Sequence, residues 1–248
     1  MVPPRTPSLP WDEMKAVVCL PTYNERENLE PMLLALRDKG VSVLVIDDNS
    51  PDGTGELADR LAGELDHVQV LHRDRKEGLG PAYVAGFRRA LADGADLVLE
   101  MDADFSHDPA DVPRLIHWAR EGDVVLGSRY VDGGTIANWG RLRRLVSAGG
   151  SLYARRMLGV RVHDLTGGFK CFRRGVLEAL DLDAITSRGY AFQIETTYRA
   201  LRAGFRVIEI PITFIDREHG GSKMSRGIVL EAIWKVPALR LRALTGRL

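Results

Sequence analysis

Residues 98–107 read VLEMDADFSH, an apolar strand that ends in two carboxylates, Asp102 and Asp104, and a polar turn. Carboxylates at positions i and i+2 on an extended backbone share one face, so both side chains can reach one bound ion. Their oxygens suit Mg²⁺ or Mn²⁺ better than zinc. The stretch therefore predicts a divalent metal site at the carboxyl end of a strand, although an Asp-x-Asp pair also occurs at ordinary solvated strand ends.

A second acidic strand end lies upstream, where residues 43–53 read VLVIDDNSPDG. Asp47 and Asp48 follow the apolar run directly, and residues 50–53 have the composition of a turn. In open α/β sheets, ligands bind in the crevice at the carboxyl ends of the strands. Two acidic strand ends therefore predict one crevice, in which a nucleotide would bind.

Strand and helix patterns alternate as far as residue 129. The predicted strands lie at residues 15–20, 42–46, 68–71, 96–101 and 123–126, and the predicted helices lie at 29–36, 56–62, 81–92 and 109–119. Alternation at this pitch predicts an α/β fold with a doubly wound, mostly parallel sheet. Beyond residue 129 the pattern predicts a basic helix at about 139–158, a strand at 169–172, a helix near 192–203 and a strand at 206–210.

A length of 248 residues fits one large domain. We expect this domain at residues 15–224, after a flexible segment 1–14 and before an amphipathic basic segment 225–248. Lys and Arg total 34, as do Asp and Glu, so the zero formal net charge predicts no nucleic-acid partner. Residues 138–161 nevertheless hold several arginines and no acidic residue. That stretch indicates an anionic ligand or surface, and a solvated helix face is the alternative.

The two cysteines, Cys19 and Cys171, fall in predicted core strands, so we expect buried, reduced thiols and a reducing compartment. Residues 1–11 are rich in proline and lack the apolar run of a signal peptide. No apolar stretch approaches the ~18–20 residues that cross a bilayer. We therefore expect a cytoplasmic protein that is peripheral at the inner face of the cell membrane.

Several longer motifs follow one another along the chain. They are PTYNE at 21–25, DDNSPDGT at 47–54, DADFSHDP at 102–109, GSRY at 127–130, DLTGGF at 164–169, FQIE at 192–195 and GSK at 221–223. Their order and spacing resemble those of the GT-A fold glycosyltransferases, and more narrowly the dolichol- or polyprenol-phosphate mannose synthases. The resemblance covers about residues 15–223 and is greatest to the bacterial polyprenol-monophosphomannose synthases. It implies inverting transfer of mannose from GDP-mannose to a polyprenyl monophosphate.

The resemblance also implies the site residues. Those it places around the nucleotide-sugar are Pro21, Tyr23, Glu25, Ile46, Asp48, Asp102, Ala103, Asp104, Arg129, Arg217 and Lys223. It implies Asp104 and Ser106 at the Mg²⁺ or Mn²⁺ ion, where some relatives carry Gln at the position of Ser106. It places Arg129, Arg143 and Ser147 at the acceptor phosphate, and it makes Asp102, Asp104, Arg129 and Lys223 the catalytic set.

The residue types fit these roles. Tyr23 can stack on a guanine face, and Glu25 and Asp48 can accept hydrogen bonds from the base or the ribose. Arg143 and Ser147 stand at i and i+4 on one face of the basic helix, and an arginine fork suits phosphate oxygens.

Other polar residues near the motifs are assigned no ligand. Asp47 is expected to brace its loop, and His107, in a turn before a helix N-cap, is expected to be structural. Asp164 and Glu195 are candidates for orienting the sugar. A phosphate monoester, with a second pKa near ~6, is already anionic at pH 7, so the implied reaction needs no general base. Catalysis would come from positioning and charge stabilisation.

Two other functions stay open. A polyprenyl-phosphate glucose synthase that uses UDP-glucose shares the scaffold. The strand that ends in Asp102 and Asp104 also fits the opening motif of haloacid-dehalogenase phosphatases, but that motif normally lies near the N-terminus. Here a long segment with its own site signals precedes it.

The implied acceptor is a lipid, so we expect the protein to work at a membrane surface. Two segments have the composition of helices that lie in a headgroup layer, with docked surface helices as the alternative. They set arginines among apolar residues, which are Trp139, Leu142, Leu145, Val146, Leu152, Leu239, Leu241 and Leu244. Relatives that lack spanning helices rely on a membrane subunit or fused membrane domain, and the resemblance implies such a partner.

Overall fold

The structure is a computed structural model that describes residues 10–187, 189–216, 226–246 and 248. Its strands are β1 (Ala16–Thr22), β2 (Ser42–Asp47), β3 (Val68–His72), β4 (Leu97–Glu100), β5 (Val124–Ser128), β6 (Thr135–Ala137), β7 (Lys170–Arg173), β8 (Val207–Pro211) and β9 (Thr213–Ile215). Its α-helices are α1 (Arg26–Leu36), α2 (Thr54–Glu64), α3 (Leu79–Ala92), α4 (Val112–Trp118), α5 (Arg141–Leu158), α6 (Arg174–Ala179), α7 (Gly189–Arg202) and α8 (Arg226–Leu244). The predicted elements are all present, with ends that differ by a few residues. The short elements β6, β9 and α6 were not predicted.

Seven of the described strands form one sheet in the order β3-β2-β1-β4-β7-β5-β8, and β6 and β9 form a separate parallel pair. The strands β3, β2, β1 and β4 are parallel, and so are β5 and β8. The strand β7 lies between β4 and β5 and is antiparallel to both. The prediction of a doubly wound, mostly parallel sheet is therefore confirmed, with one reversed strand, β7, whose direction its four residues do not reveal.

Both faces of the sheet are covered, which explains why the central strands read as continuous apolar runs. On one face, Val18 and Leu20 of β1 pack in a cluster that includes apolar residues of α1 and α4. On the other, Val17 and Cys19 pack with the aromatic residues of α3. Alternate residues of one strand therefore enter different cores.

The cysteine prediction is confirmed. Cys19 and Cys171 are both free and fully buried. Burial raises the pKa of both thiols, that of Cys171 to about 12, so both are protonated at neutral pH.

The reversed strand decides which loops meet. The parallel strands β1, β2, β4 and β5 all end at one edge of the sheet. Glu100, the last residue of β4, pairs with Lys170, the first residue of β7. Because β7 runs the other way, the loop that enters it, residues 164–169, lies at the same edge. This loop therefore joins the acidic loop after β4 and the loop after β5 at one place.

The structure describes parts of both terminal segments. Residues 11–13 form a 3-10 turn, and Trp11 lies under the guanidinium groups of Arg120 and Arg173, so this part of segment 1–14 is packed. The helix α8 continues through Pro237. It packs against α5 and α7, so residues 226–246 belong to the same folded unit.

Two residues assigned to a membrane-facing surface are buried instead. Trp139 is 7% exposed and meets Phe214 edge to face, with ring centroids 5.2 Å apart. Leu239 is 2% exposed and packs in the cluster shared by α5, α7 and α8. Within the described residues, no helix is long and apolar enough to cross a membrane.

Candidate active site

A cleft at this edge of the sheet gathers residues from distant parts of the sequence. Asp102 and Ser106, after β4, lie on its wall with Arg129, after β5, and Arg143, on α5. Ser106 was predicted to bind the metal ion, and Arg129 and Arg143 were predicted to bind the acceptor phosphate. The structure thus brings an acidic group and two guanidinium groups to one cavity.

The acidic pair stands on a bent backbone. The strand β4 ends at Glu100, and Phe105 has a φ of 58°, so Asp102 and Asp104 do not share the extended face that was predicted. Asp104 is 5% exposed, and its Oδ1 accepts hydrogen bonds from the backbone N–H of Ser106 at 3.1 Å and from its hydroxyl at 2.6 Å. This turn holds the Asp104 carboxylate in a fixed direction.

The donor set fits a magnesium-like ion. In the described part of the chain, no three His, Cys, Asp or Glu side chains cluster to hold a metal by themselves. Mg²⁺ typically binds through one or two carboxylates and completes its shell with substrate phosphates and water. Asp104 and Asp102 would supply the two carboxylates, and the hydroxyl of Ser106, which donates to Asp104, retains acceptor lone pairs.

His107 has the environment of a structural residue, as expected. Its ring stacks on Phe169 at a centroid distance of 4.9 Å, and its Nδ1 accepts the backbone N–H of Asp102 at 3.3 Å. Burial lowers the pKa of His107 to about 4, so the ring is neutral at pH 7. Its role is to hold the turn that carries the acidic pair.

The residues assigned to the base and ribose lie at the ends of β1 and β2. The Nζ of Lys76 lies over the ring of Tyr23, 3.6 Å from its centroid. The carboxylate of Glu25 accepts a hydrogen bond from the side-chain amide of Asn28 at 2.9 Å. Asp48 is ion-paired with Arg73, and burial nevertheless raises its pKa. A bound nucleoside would share these groups with their present partners.

Further predictions at this edge have different outcomes. Asp47 accepts hydrogen bonds from Thr22 and from the N–H and hydroxyl of Ser50, which confirms that it braces the loop. For Ile46, the assignment to a wall of the pocket stays a prediction. Its side chain is fully buried below α3, where a Cβ added to Gly86 would lie 2.4 Å from its Cδ1. Pro21 is half-buried, and its position at the wall stays a prediction.

Arg129 is held by a buried ion pair. Its Nε and Nη2 donate to the two oxygens of Asp164 at 2.7 and 2.6 Å, and its backbone N–H donates to the same carboxylate at 3.0 Å. Thr166 accepts a further bond from Nη2 at 2.8 Å. Asp164 is fully buried, so it positions Arg129 and does not orient a sugar.

Glu195 is likewise engaged away from the cleft. It is 1% exposed, and its Oε1 accepts from the Nε of Arg199 at 2.8 Å on the same helix. The contact fits a structural role for Glu195 within α7.

Arg143 also has a carboxylate partner. Its Nη1 donates to both oxygens of Asp216, at 2.8 and 2.7 Å, and its guanidinium lies 4.1 Å from the ring centroid of Trp139. The hydroxyl of Ser147 accepts from Tyr130 at 2.8 Å, which ties it to the loop after β5. The predicted acceptor trio therefore stands in one region, each member with a partner.

Some residues of the cleft escaped the sequence prediction. Trp139, Gly168, Gln193 and Asp216 line it, but none had been given a role there. Gly168 and Gln193 occur in two of the motifs on which the family resemblance rests. That position in a motif was the sequence feature that indicated a role at the site. Asp216 had no signal, because its only relation to Arg143 is spatial. Arg217 and Lys223 lie outside the described residues, and so their assignments stay predictions.

The Arg129–Asp164 pair predicts a large stability effect. Asp164→Asn is expected to lower the free energy of unfolding by about 3–5 kcal/mol, because it leaves a guanidinium charge buried without its counter-ion. Urea unfolding followed by circular dichroism measures this. Glu178→Gln is the matched control, since it breaks the exposed Arg174–Glu178 pair and should cost no more than about 0.5 kcal/mol. Equal midpoints and slopes for the two variants would contradict the prediction.

Comparison with known sequences places the chain in a family. The model of glycosyl transferase family 2 matches residues 17–181. The undecaprenyl-phosphate mannosyltransferase of Micrococcus luteus is 51% identical over 232 residues, which cover 93% of this chain and 96% of the relative. The polyprenol monophosphomannose synthase of Mycolicibacterium smegmatis is 48% identical over 239 residues, which cover 94% and 89%.

Solved structures agree in fold. The mannosyltransferase PcManGT from Pyrobaculum calidifontis, in complex with GDP-Man and Mn²⁺, matches with a TM-score of 0.56 at 16% identity, over 96% of this chain and 78% of that one. Residues 1–349 of S. aureus TarS match with a TM-score of 0.58 at 17% identity, over 94% and 72%. These distant matches concern the fold alone. The family model and the two sequence relatives establish that the chain belongs to glycosyl transferase family 2, in the group of the bacterial polyprenol-phosphate mannose synthases.

Proposed function

We propose that this protein transfers mannose from GDP-mannose to a polyprenyl monophosphate, with inversion and with the aid of a divalent metal ion. The observation that carries the proposal is the charge arrangement of the cleft. Asp102 and Ser106, from the turn that also carries Asp104, line the same cavity as two arginines, Arg129 and Arg143. Two phosphate-bearing substrates need both kinds of group, a cation site for the donor diphosphate and a guanidinium site for the acceptor phosphate.

The names of the relatives support the same reaction. Both sequence relatives are named for mannosyl transfer to a polyprenyl carrier, and each is about half identical over most of its length. The PcManGT structure is a complex with GDP-Man and Mn²⁺, so a mannosyltransferase with this fold takes both ligands. We carry both over to this chain as part of the proposal.

The chemistry follows from the groups in the cleft. An oxygen of the acceptor phosphate attacks the anomeric carbon, and the bond from that carbon to GDP breaks with its electron pair on GDP. No proton moves, because a phosphate monoester is already anionic at pH 7. A metal ion held by Asp104 and Asp102 would neutralise charge on the diphosphate. Neutral His107, with its Nδ1 occupied, fits a site that needs no base.

The donor is tested directly with purified protein and a polyprenyl phosphate. Radiolabelled GDP-mannose with Mg²⁺ or Mn²⁺ is expected to give labelled lipid, whereas UDP-glucose and metal-free GDP-mannose are not. Labelled lipid from UDP-glucose alone would replace the proposal by the glucose synthase. Phosphate release from simple esters without any sugar donor would replace it by the phosphatase.

The metal assignment predicts a contrast between neighbouring residues. Asp104→Ala is expected to abolish transfer and to weaken Mn²⁺ binding in the presence of GDP, measured by calorimetry or electron paramagnetic resonance. Asp108→Ala is the matched control, because this carboxylate only caps the 3-10 turn by accepting the N–H of Ala110. Near-normal activity of Asp104→Ala in excess Mg²⁺ or Mn²⁺ would contradict the assignment. Ser106→Ala tests whether the hydroxyl contributes beyond fixing Asp104.

The acceptor site predicts changes of opposite sign. In the structure Asp216 accepts hydrogen bonds from the Nη1 of Arg143, a group that an acceptor phosphate would bind. Arg143→Ala is expected to raise the KM for polyprenyl phosphate roughly 10- to 150-fold, because a charge-assisted hydrogen bond contributes about 1.5–3 kcal/mol. Asp216→Asn is expected to lower that KM, because the competing anion is removed. The KM for GDP-mannose should change in neither variant.

Arg141→Ala is the control for this pair, since Arg141 is an exposed arginine of the same helix. If Arg143→Ala raises the KM of both substrates equally, the acceptor assignment is wrong. If Asp216→Asn raises the KM for the lipid, Asp216 orients Arg143 and does not compete with the phosphate.

We also propose that the protein lies on the membrane surface through α5 and α8. These helices pack side by side, and the hydroxyl of Tyr153 on α5 donates to the carbonyl oxygen of Ile233 on α8 at 2.9 Å. Large apolar side chains remain exposed on both, up to 77% for Trp234 and 70% for Leu145. Arg141, Arg144 and Arg156 are arginines of α5 at or near its surface. Exposed apolar residues beside arginines suit an anionic headgroup layer.

Vesicle flotation tests this contact. The protein is expected to float with anionic vesicles at low salt, to float less at high salt, and to lose flotation in Leu145→Ser/Trp234→Ser. Leu34→Ser, on α1, is the matched control, because Leu34 is an exposed leucine outside α5 and α8. Truncation of α8 is unsuitable, because Val236 and Leu239 are buried. Absence of flotation at low salt would mean that a membrane protein subunit recruits the enzyme.

A further inference from the structure

Gln193, on α7, has a buried amide that the proposed reaction has not used. The residue is 1% exposed and lies on the wall of the cleft. Its Nε2 has no hydrogen-bond partner of normal geometry within the described residues. Buried polar groups are nearly always paired, so this donor calls for an explanation.

The orientation of the amide is fixed by a lysine. The Nζ of Lys170 donates to the side-chain oxygen of Gln193 and, at 3.1 Å, to its backbone oxygen. An ammonium group has donors and no acceptor, so the amide atom that faces it must be oxygen. The NH2 group of Gln193 therefore points away from Lys170.

Lys170 is itself immobilised. It is fully buried, it donates to Thr196 at 3.3 Å, and its Nζ lies 3.5 Å from an oxygen of Glu100. Burial raises the pKa of Glu100 to about 7, while Lys170 and the nearby Gln193 amide act in the opposite direction. The amide of Gln193 lies near enough to the Glu100 carboxyl group to lower its pKa, so one of the two hydrogens on Nε2 is directed toward Glu100. The second hydrogen is left to donate elsewhere.

A glycine leaves space beside this amide. A Cβ added to Gly168 would stand 3.4 Å from the Nε2 of Gln193 and 3.8 Å from the Cε1 of His107. Gly168 also lines the cleft. The missing side chain keeps the approach to the amide open, so a ligand atom in the cleft can reach it.

We propose that the Nε2–H of Gln193 donates a hydrogen bond to one hydroxyl oxygen of the transferred sugar and makes Gln193 a determinant of sugar specificity. This inference rests on the proposed function. A neutral donor suits a neutral hydroxyl, whereas the charged parts of the substrates match the acidic turn and the arginines. Sites built to bind one hydroxyl reject analogues that lack it, because the buried donor is then left unpaired.

The test uses four donors, GDP-mannose analogues that lack the hydroxyl at carbon 2, 3, 4 or 6. The unchanged protein is expected to lose roughly 10- to 100-fold in kcat/KM with one of them, which is the cost of one buried donor left without an acceptor. With GDP-mannose, the kcat/KM of Gln193→Leu is expected to be lower than that of the unchanged protein by a similar factor. With the analogue that lacks the bound hydroxyl, the two proteins are expected to have the same kcat/KM. With each of the other three analogues, the factor lost through the substitution should multiply the factor lost through the missing hydroxyl. GDP binding, measured by calorimetry, should not change.

The controls separate the different failures. Gln69→Leu alters the other glutamine of the chain, which is exposed on β3, and should leave all donor kinetics unchanged. Losses that multiply with all four analogues would overturn the role of Gln193. Gln193→Met is a second variant of similar length, and failure of both variants to fold would assign Gln193 to the core and also overturn it. Absence of transfer from GDP-mannose by the unchanged protein would instead contradict the proposed function.

Discussion

A buried ion pair joins the two parts of this active site. Asp164 is fully buried and binds the side chain and the backbone of Arg129 together. One residue follows β5 and the other opens the loop that leads into β7. A buried carboxylate without its partner is strongly unfavourable, so each residue can be retained only with the other. The pair thereby fixes a guanidinium group at the cleft and holds the loop of residues 164–169 at the edge of the sheet.

The reversed direction of β7 makes that pair possible. A parallel strand between β4 and β5 would bring its carboxyl end to the site and send the loop of residues 164–169 to the opposite edge. The antiparallel strand brings this loop beside the acidic turn, and it aligns Glu100 with Lys170 in the core below. Lys170 and Glu100 thus form a buried pair in the core, and Lys170 orients the amide of Gln193, which lines the cleft.

Charge in the cleft is balanced locally. Asp216 neutralises Arg143, Asp164 neutralises Arg129, and Arg73 neutralises Asp48. A substrate phosphate that binds Arg143 replaces the Asp216 carboxylate as its ion-pair partner. The affinity for the phosphate therefore depends on the difference in free energy between the two ion pairs. Asp164 and Asp216 differ in this respect. Asp164 has no exposed surface, whereas the side chain of Asp216 is 28% exposed and can be displaced at lower cost.

The sequence by itself determined the α/β class, the positions of most strands and helices, and the family. Apolar residues that recur every two or 3.6 positions indicate which side chains are buried. Acidic residues at strand ends indicate the edge of the sheet where ligands bind. It also indicated that Asp47 braces its loop and that His107 is structural. Only the tertiary structure decided the direction of β7, the burial of Ile46 and Trp139, and the partners of Arg129 and Arg143. Each of these depends on contacts between residues far apart in the chain, and local patterns carry no information about which distant residue fills the space beside them.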